Sequence, residues 1–217
     1  MQFDFGSDLR PDFGVEQKLM SSGYSYVAGV DEVGRGAIAG PVVVAAVIMD
    51  PQKLDLVGQL RDSKKISAKK RESLYDLIQD QALAIGLSFI DHQVIDQINI
   101  LQATLMGMKK AVSELDPCPS ICLVDGNQKF HSHLPQHTIV KGDDRVFTIA
   151  AASIIAKVAR DRWMIKQDAL YPEYGFISHK GYGTQFHRQA IFTHGQTPIH
   201  RKSFVLKESN NICLKKD

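Results

Sequence analysis

A chain of 217 residues with 44% hydrophobic and 23% charged positions has the makeup of an ordinary globular protein, with apolar material for one full core. Three cysteines exclude a disulfide framework, no apolar run reaches the ~18 residues of a membrane span, and the polar, acidic N-terminus lacks the apolar core of a signal peptide. The expected address is therefore the cytoplasm, with a monomer as the default state. The net charge of +2 is unevenly spread: residues 157–217 hold eleven Lys or Arg against five Asp or Glu, whereas the remainder is net acidic. A basic end on an acid-bearing core suits a polyanionic partner, although a solvated helical surface reads the same way on charge alone.

Residues 1–25 read as an arm or a frayed first helix. Residues 26–31 read as a strand, and 42–49, richer in Val and Ile, as a buried one. Only nine residues, 33–41, separate Glu32 from Val42. A parallel crossover needs a dozen or more, so these strands are expected to be antiparallel neighbours joined by a glycine-rich loop. Ser67 is placed to cap a helix through about residue 82, with Leu74, Leu77 and Ile78 on its inner face. A strand over 84–90, a helix over about 93–115, short strands over 121–125 and 137–141, and a long helix over 146–170 follow. The rest reads as loops and short helices. Strands first as a meander, then alternating with helices, point to an α/β fold with a mixed sheet. The expected organisation is an arm (1–25), a core (26–170) and a C-terminal segment packed on it (171–217).

Three acidic sites share one context. Asp31-Glu32 closes the first strand, Asp125 closes ICLVD before Gly126-Asn127, and Asp143-Asp144 follows TIVKG. Taken singly, each reads first as turn chemistry. If the strand ends align, however, three or four carboxylates converge, and such a cluster stays ionised only with cations present. Hard divalent ions with oxygen ligands answer this, and a pair roughly 4 Å apart can activate water and stabilise the leaving oxygen of a phosphodiester. Because successive strand side chains face opposite ways, Asp31 and Glu32 serve one site only if the pleat breaks between or just after them. Gly34 and Gly36 make such a break easy. The loop is neither a dinucleotide fingerprint, since Ala39 occupies the third glycine's place, nor a phosphate loop, since no Gly-Lys-Ser/Thr follows. It lets a backbone approach a ligand, and Arg35 within it could hold a phosphate.

Together AGVDEVGRG (28–36), DSKKIS (62–67), LVDGN (123–127), KGD (141–143), AASIIAKVARDR (151–162) and HKGYGT (179–184) closely resemble the ribonuclease HII family, the type 2 ribonucleases H. DEVGRG is the specific element, and Arg35 between the glycines separates type 2 from type 3. The resemblance implies a ribonuclease H-like fold: a mixed five-stranded sheet flanked by helices, with a helical C-terminal segment. It implies hydrolysis of the RNA strand of RNA–DNA hybrids, and incision 5′ of ribonucleotides embedded in duplex DNA, using two ions, Mg²⁺ or Mn²⁺. By position, Asp31, Glu32, Asp125 and Asp143 become the catalytic metal-binding acids, with Asp144 a neighbour. Gly34, Arg35 and Gly36 become the pocket that senses the 2′-hydroxyl, Tyr182 stacks on the adjacent deoxyribose, and Lys64 contacts phosphate. His179 and His187 bracket Tyr182 and are expected to hold its loop. Ala37, where proline is common, and Lys202, where a second Arg is frequent, are the departures. Three rivals stay open: a non-catalytic nucleic-acid binder on the same fold, a different metal-dependent nuclease, and a small-molecule phosphatase, which the basic C-terminal segment disfavours.

Overall fold

The computed structural model describes residues 10–60, 63 and 66–204. Five strands form one mixed sheet: β1 (Val27–Val33), β2 (Val42–Met49), β3 (Ala82–Ile90), β4 (Ile121–Asp125) and β5 (Gln136–Ile139), in the spatial order β3-β2-β1-β4-β5. β1 pairs antiparallel with β2, and β2 with β3; β4 lies parallel to β1, and β5 parallel to β4. The nine-residue glycine loop does join antiparallel neighbours. Helices α1 (Gly14–Ser21), α2 (Ala68–Gln81), α3 (His92–Ser113) and α4 (Phe147–Leu170) surround the sheet, and α5 (Phe176–His179) and α6 (Gln185–His194) complete the C-terminal part.

β2 is buried along its whole length, which explains its unbroken apolar sequence. Val43, Ala45, Val47 and Met49 pack with the apolar first half of α4 and with Leu74 and Ile78 of α2. Val44, Ala46 and Ile48 face the other way, onto Met108, Ala111 and Val112 of α3. Each such Val or Ile contributes about 1.5–3 kcal/mol through burial. Leu77, expected inward, is instead exposed, because the buried stripe of α2 is only two residues wide.

Three local features carry the site. At Gly29 a Cβ would stand 2.1 Å from the backbone of Thr148, so only glycine lets the first turn of α4 press onto β1. The arm before residue 25, given no role from sequence, caps that same turn: the Glu16 carboxylate accepts the Thr148 N–H at 2.8 Å. Glu16 is fully buried, and burial pushes its pKa up to about 7. Helix α3 is broken at Asn99, which takes a left-handed backbone (φ 68°) and whose Oδ1 caps the second segment through the N–H groups of Leu101 and Gln102.

Candidate active site

Strand alternation aims Asp31 at α4, on the face it shares with Gly29 and Val33, and Asp31 is only 4% exposed. Its Oδ1 accepts the Glu32 N–H at 2.8 Å. The parallel register pairs Val30 with Val124, so Asp31 and Asp125 follow side by side at the ends of adjacent strands. Asp125 Oδ1 accepts the Gly142 N–H at 2.7 Å and so draws a 3-10 turn, Gly142–Asp144, over the strand end. That turn carries Asp143, which is buried. Strand β5 stops at Ile139, two residues before the predicted end, because Lys141 turns left-handed (φ 57°). Asp143 therefore reaches the patch from a turn and not from a strand end.

The charges of Glu32, Asp125 and Asp143 all act on Asp31. Burial first, then the carboxylates of Glu32 and Asp125, hold the Asp31 carboxyl well above the usual carboxylate range; Asp143 adds to this, and a hydrogen bond from Ser153 opposes it. The expected break in the pleat falls later than Asp31: β1 stays paired through Glu32↔Val44 and Val33↔Val43, and the chain turns at Gly34 (φ +93°). The Glu32 carboxylate, which Arg35 meets at 3.2 Å, still acts on that of Asp31. A set of oxygen donors with one member buried among like charges fits a hard divalent cation. Among the described residues no group of three or more His, Cys, Asp or Glu side chains is arranged to hold a metal ion.

Beside the acids, the glycine loop is clamped by two buried arginines that the sequence reading passed over. Arg160 of α4 donates to the carbonyls of Pro41 (2.9 Å), Lys180 (2.8 Å) and Ala39 (3.1 Å). Arg201 donates to those of Gly40 (2.9 Å), Arg35 (3.0 Å) and Gly34 (2.7 Å). A Cβ at Gly34 would stand 2.2 Å from the Arg160 side chain, whereas one at Gly36 would meet open space. The loop is also stitched to the Tyr182 segment. Ala37 bridges Tyr182, the N–H groups of Ile38 and Ala39 reach the Gly181 carbonyl, and the Arg160 guanidinium stands 5.4 Å from the Tyr182 ring centre. Lys64 lies outside the described residues. Arg160 carried one sequence signal, a charge at the end of an otherwise small and apolar stretch; Arg201 carried only its place beside Lys202 in the family pattern.

Three histidines stand behind Tyr182, and their hydrogen bonds fix their tautomers. The Thr197 N–H donates to His200 Nδ1 (2.8 Å), so His200 donates from Nε2 to His187 Nε2 (3.0 Å), and His187 donates from Nδ1 to the Tyr182 carbonyl (2.9 Å). His179 stacks on His187 at 4.3 Å and accepts the Gly181 N–H. The expectation that His179 and His187 hold this loop agrees with these contacts. Burial pushes His187 and His200 down to about 4. The folded chain therefore binds fewer protons than the unfolded one between pH 6.5 and 4, and this contribution to stability is lost as pH falls through that window. Glu16, raised, works in the opposite sense, so the check is a difference. Between pH 7 and 5 the wild type is expected to lose more melting temperature than a His200→Gln variant; equal losses contradict the neutral relay.

A model of the ribonuclease HII family matches residues 28–207. The chain belongs to the ribonuclease HII family. Ribonuclease HII of Enterococcus faecalis is 53% identical over 190 residues, covering 88% of this chain and 73% of that one. Ribonuclease HII of Geobacter metallireducens is 53% identical over 189 residues, covering 87% and 88%. Among solved structures, the ribonuclease H2 of Pyrococcus horikoshii superposes with a TM-score of 0.70 at 25% identity, covering 83% of this chain and 94% of that one. The ribonuclease HII of Archaeoglobus fulgidus, solved in complex with PCNA, gives 0.72 at 25% identity, covering 85% and 98%. As a ribonuclease HII, the protein is a type 2 ribonuclease H, a metal-dependent nuclease acting on RNA–DNA hybrids. Among the described residues no helix is long and apolar enough to cross a membrane.

Proposed function

We propose that this ribonuclease HII also incises duplex DNA on the 5′ side of single embedded ribonucleotides, and that Asp31, Glu32, Asp125 and Asp143 hold two divalent ions, Mg²⁺ or Mn²⁺, for both reactions. The observation that carries the reading is the buried Asp31, set beside Asp125 at the ends of adjacent strands and just before a clamped glycine loop. When bound at such a patch, two ions supply an activated water and stabilise the departing 3′ oxygen. The chain's own groups do the rest. Arg201 and Arg160 hold the 34–41 backbone rigid, and the open flank of Gly36 leaves room for a sugar edge. A 2′-hydroxyl met by fixed backbone is the group that separates RNA from DNA at one position. Tyr182, held by His187 and by the bridge to Ala37, offers its ring to the neighbouring deoxyribose. Lys64 and the basic C-terminal segment meet phosphates of the duplex. The enzyme acts as a monomer in the cytoplasm.

Duplexes of one sequence containing no ribonucleotide, one, or a full RNA strand, each with and without a chelator, test this. Incision is expected only where a 2′-hydroxyl is present and only without chelator. Cleavage of the all-DNA duplex, or cleavage that survives chelation, overturns the reading. For Tyr182→Ala, incision at a single ribonucleotide is expected to fall about 10- to 100-fold, the scale of a positioning loss, with duplex binding within about threefold of wild type. Parallel losses in a binding and a single-turnover assay count against the stacking role.

A further inference from the structure

Asp31 is oriented by two serines from separate elements. Ser153 lies in α4 over the face of β1 from which Asp31 projects, and Ser63 lies in the connection before α2; they are 3% and 2% exposed. The Ser153 hydroxyl acts to stabilise the charged Asp31 carboxylate, and the hydroxyl oxygens of Ser63 and Ser153 stand 3.0 Å apart. A carboxylate ready to ligate a cation only accepts, so Ser153 donates to Asp31, and its own oxygen is left to accept from Ser63. The acid at the end of the chain thus sets the direction of both bonds, and each hydroxyl polarises the next. Ser63 is itself fixed, since Arg71 donates to its carbonyl at 2.7 Å and to that of Ile66 at 2.5 Å. Asp31 also accepts the Glu32 N–H, so two separate constraints act on one carboxyl group.

We infer that Ser153, and Ser63 acting through it, are positioning residues for divalent-ion binding: they set the rotation of the Asp31 carboxylate and tie it to the connection that carries Lys64. The inference rests on the proposed reading of Asp31 as a ligand. A packing role alone leaves ion affinity unchanged when either hydroxyl is removed, because serine-to-alanine exchange at these buried sites keeps the volume of the side-chain stem.

Calorimetric titration of the full chain with Mn²⁺, without nucleic acid, separates these outcomes. Ser153→Ala is expected to raise the Mn²⁺ Kd about tenfold, the lower end of what loss of a ligand-orienting partner does. Ser63→Ala is expected to raise it less, about threefold. The double variant should bind no more weakly than Ser153→Ala, since Ser63 acts only through Ser153. Metal-free melting temperatures close to wild type establish that all three variants are folded. An unchanged Kd for Ser153→Ala, or effects that multiply in the double variant, overturns the inference. Asp31→Asn in the same titration distinguishes the two levels. Undiminished binding by that variant sinks the ligand reading itself, whereas lost binding beside an unaffected Ser153→Ala sinks the serine relay alone.

Discussion

Asp125→Asn leaves the chain folded and lowers turnover of an RNA–DNA hybrid by about a thousandfold or more, the scale on which removing a charge-stabilising group from a hydrolytic site acts. The asparagine oxygen keeps the acceptor for the Gly142 N–H, now bonded at 2.7 Å, so the turn bearing Asp143 stays in place. What is lost is a negative charge at the end of β4. Without metal that loss is stabilising. The Asp125 charge helps to hold the Asp31 carboxyl above its unfolded value of 3.8, and a raised acid pKa weakens the fold as pH climbs past that value. Metal-free Asp125→Asn is therefore expected to melt at or above wild type at pH 7, with the gain vanishing near pH 4. Activity within tenfold of wild type, or a lower melting point at pH 7, contradicts the placement of Asp125 in the patch.

Arg201→Ala is expected to be the most damaging change outside the acids, costing about 3–5 kcal/mol of stability. Three carbonyls, of Gly34, Arg35 and Gly40, lose their donor at once in a buried setting. Burial lowers the Arg201 guanidinium to about 9, so it remains charged at neutral pH, and the carbonyl dipoles stand in for the water it has given up. Arg201→Lys keeps the charge but not the planar fork, and is expected to recover only part of the stability. Because the loop shifts with its clamp, kcat for single-ribonucleotide incision should fall about 10- to 100-fold in the lysine variant. Urea denaturation together with single-turnover incision checks both. Wild-type values for Arg201→Lys count against the clamp.

Much of this architecture is legible along the chain because its signals are local. The apolar runs 42–49 and 121–125 end where the sequence turns polar, and β2 and β4 have those bounds. Ser67 caps α2 as its position before a helical run suggests, accepting the Lys70 N–H. Asp31, Glu32 and Asp125 sit at strand ends, where period and punctuation reveal them. The helix break at Asn99 is hidden, since asparagine inside a helical apolar pattern gives no stop signal until its left-handed backbone is seen. Arg201 is hidden for a different reason. Its partners at Gly34 and Arg35 lie more than 160 residues away, and no periodicity encodes a bond across that separation. Ser63 and Ser153 are alike in this respect, being two ordinary serines 90 residues apart. Glu16 looked like part of an unassigned arm, although it caps the helix that roofs the acid patch.

Anomalous diffraction from crystals grown with Mn²⁺ tests the central claim most directly, because it locates the cation without reference to activity. Peaks are expected between the carboxylates of Asp31 and Asp125, with Asp143 and Glu32 drawn toward them. A map whose Mn²⁺ peaks all lie away from Asp31 contradicts the account, however active the enzyme is in solution.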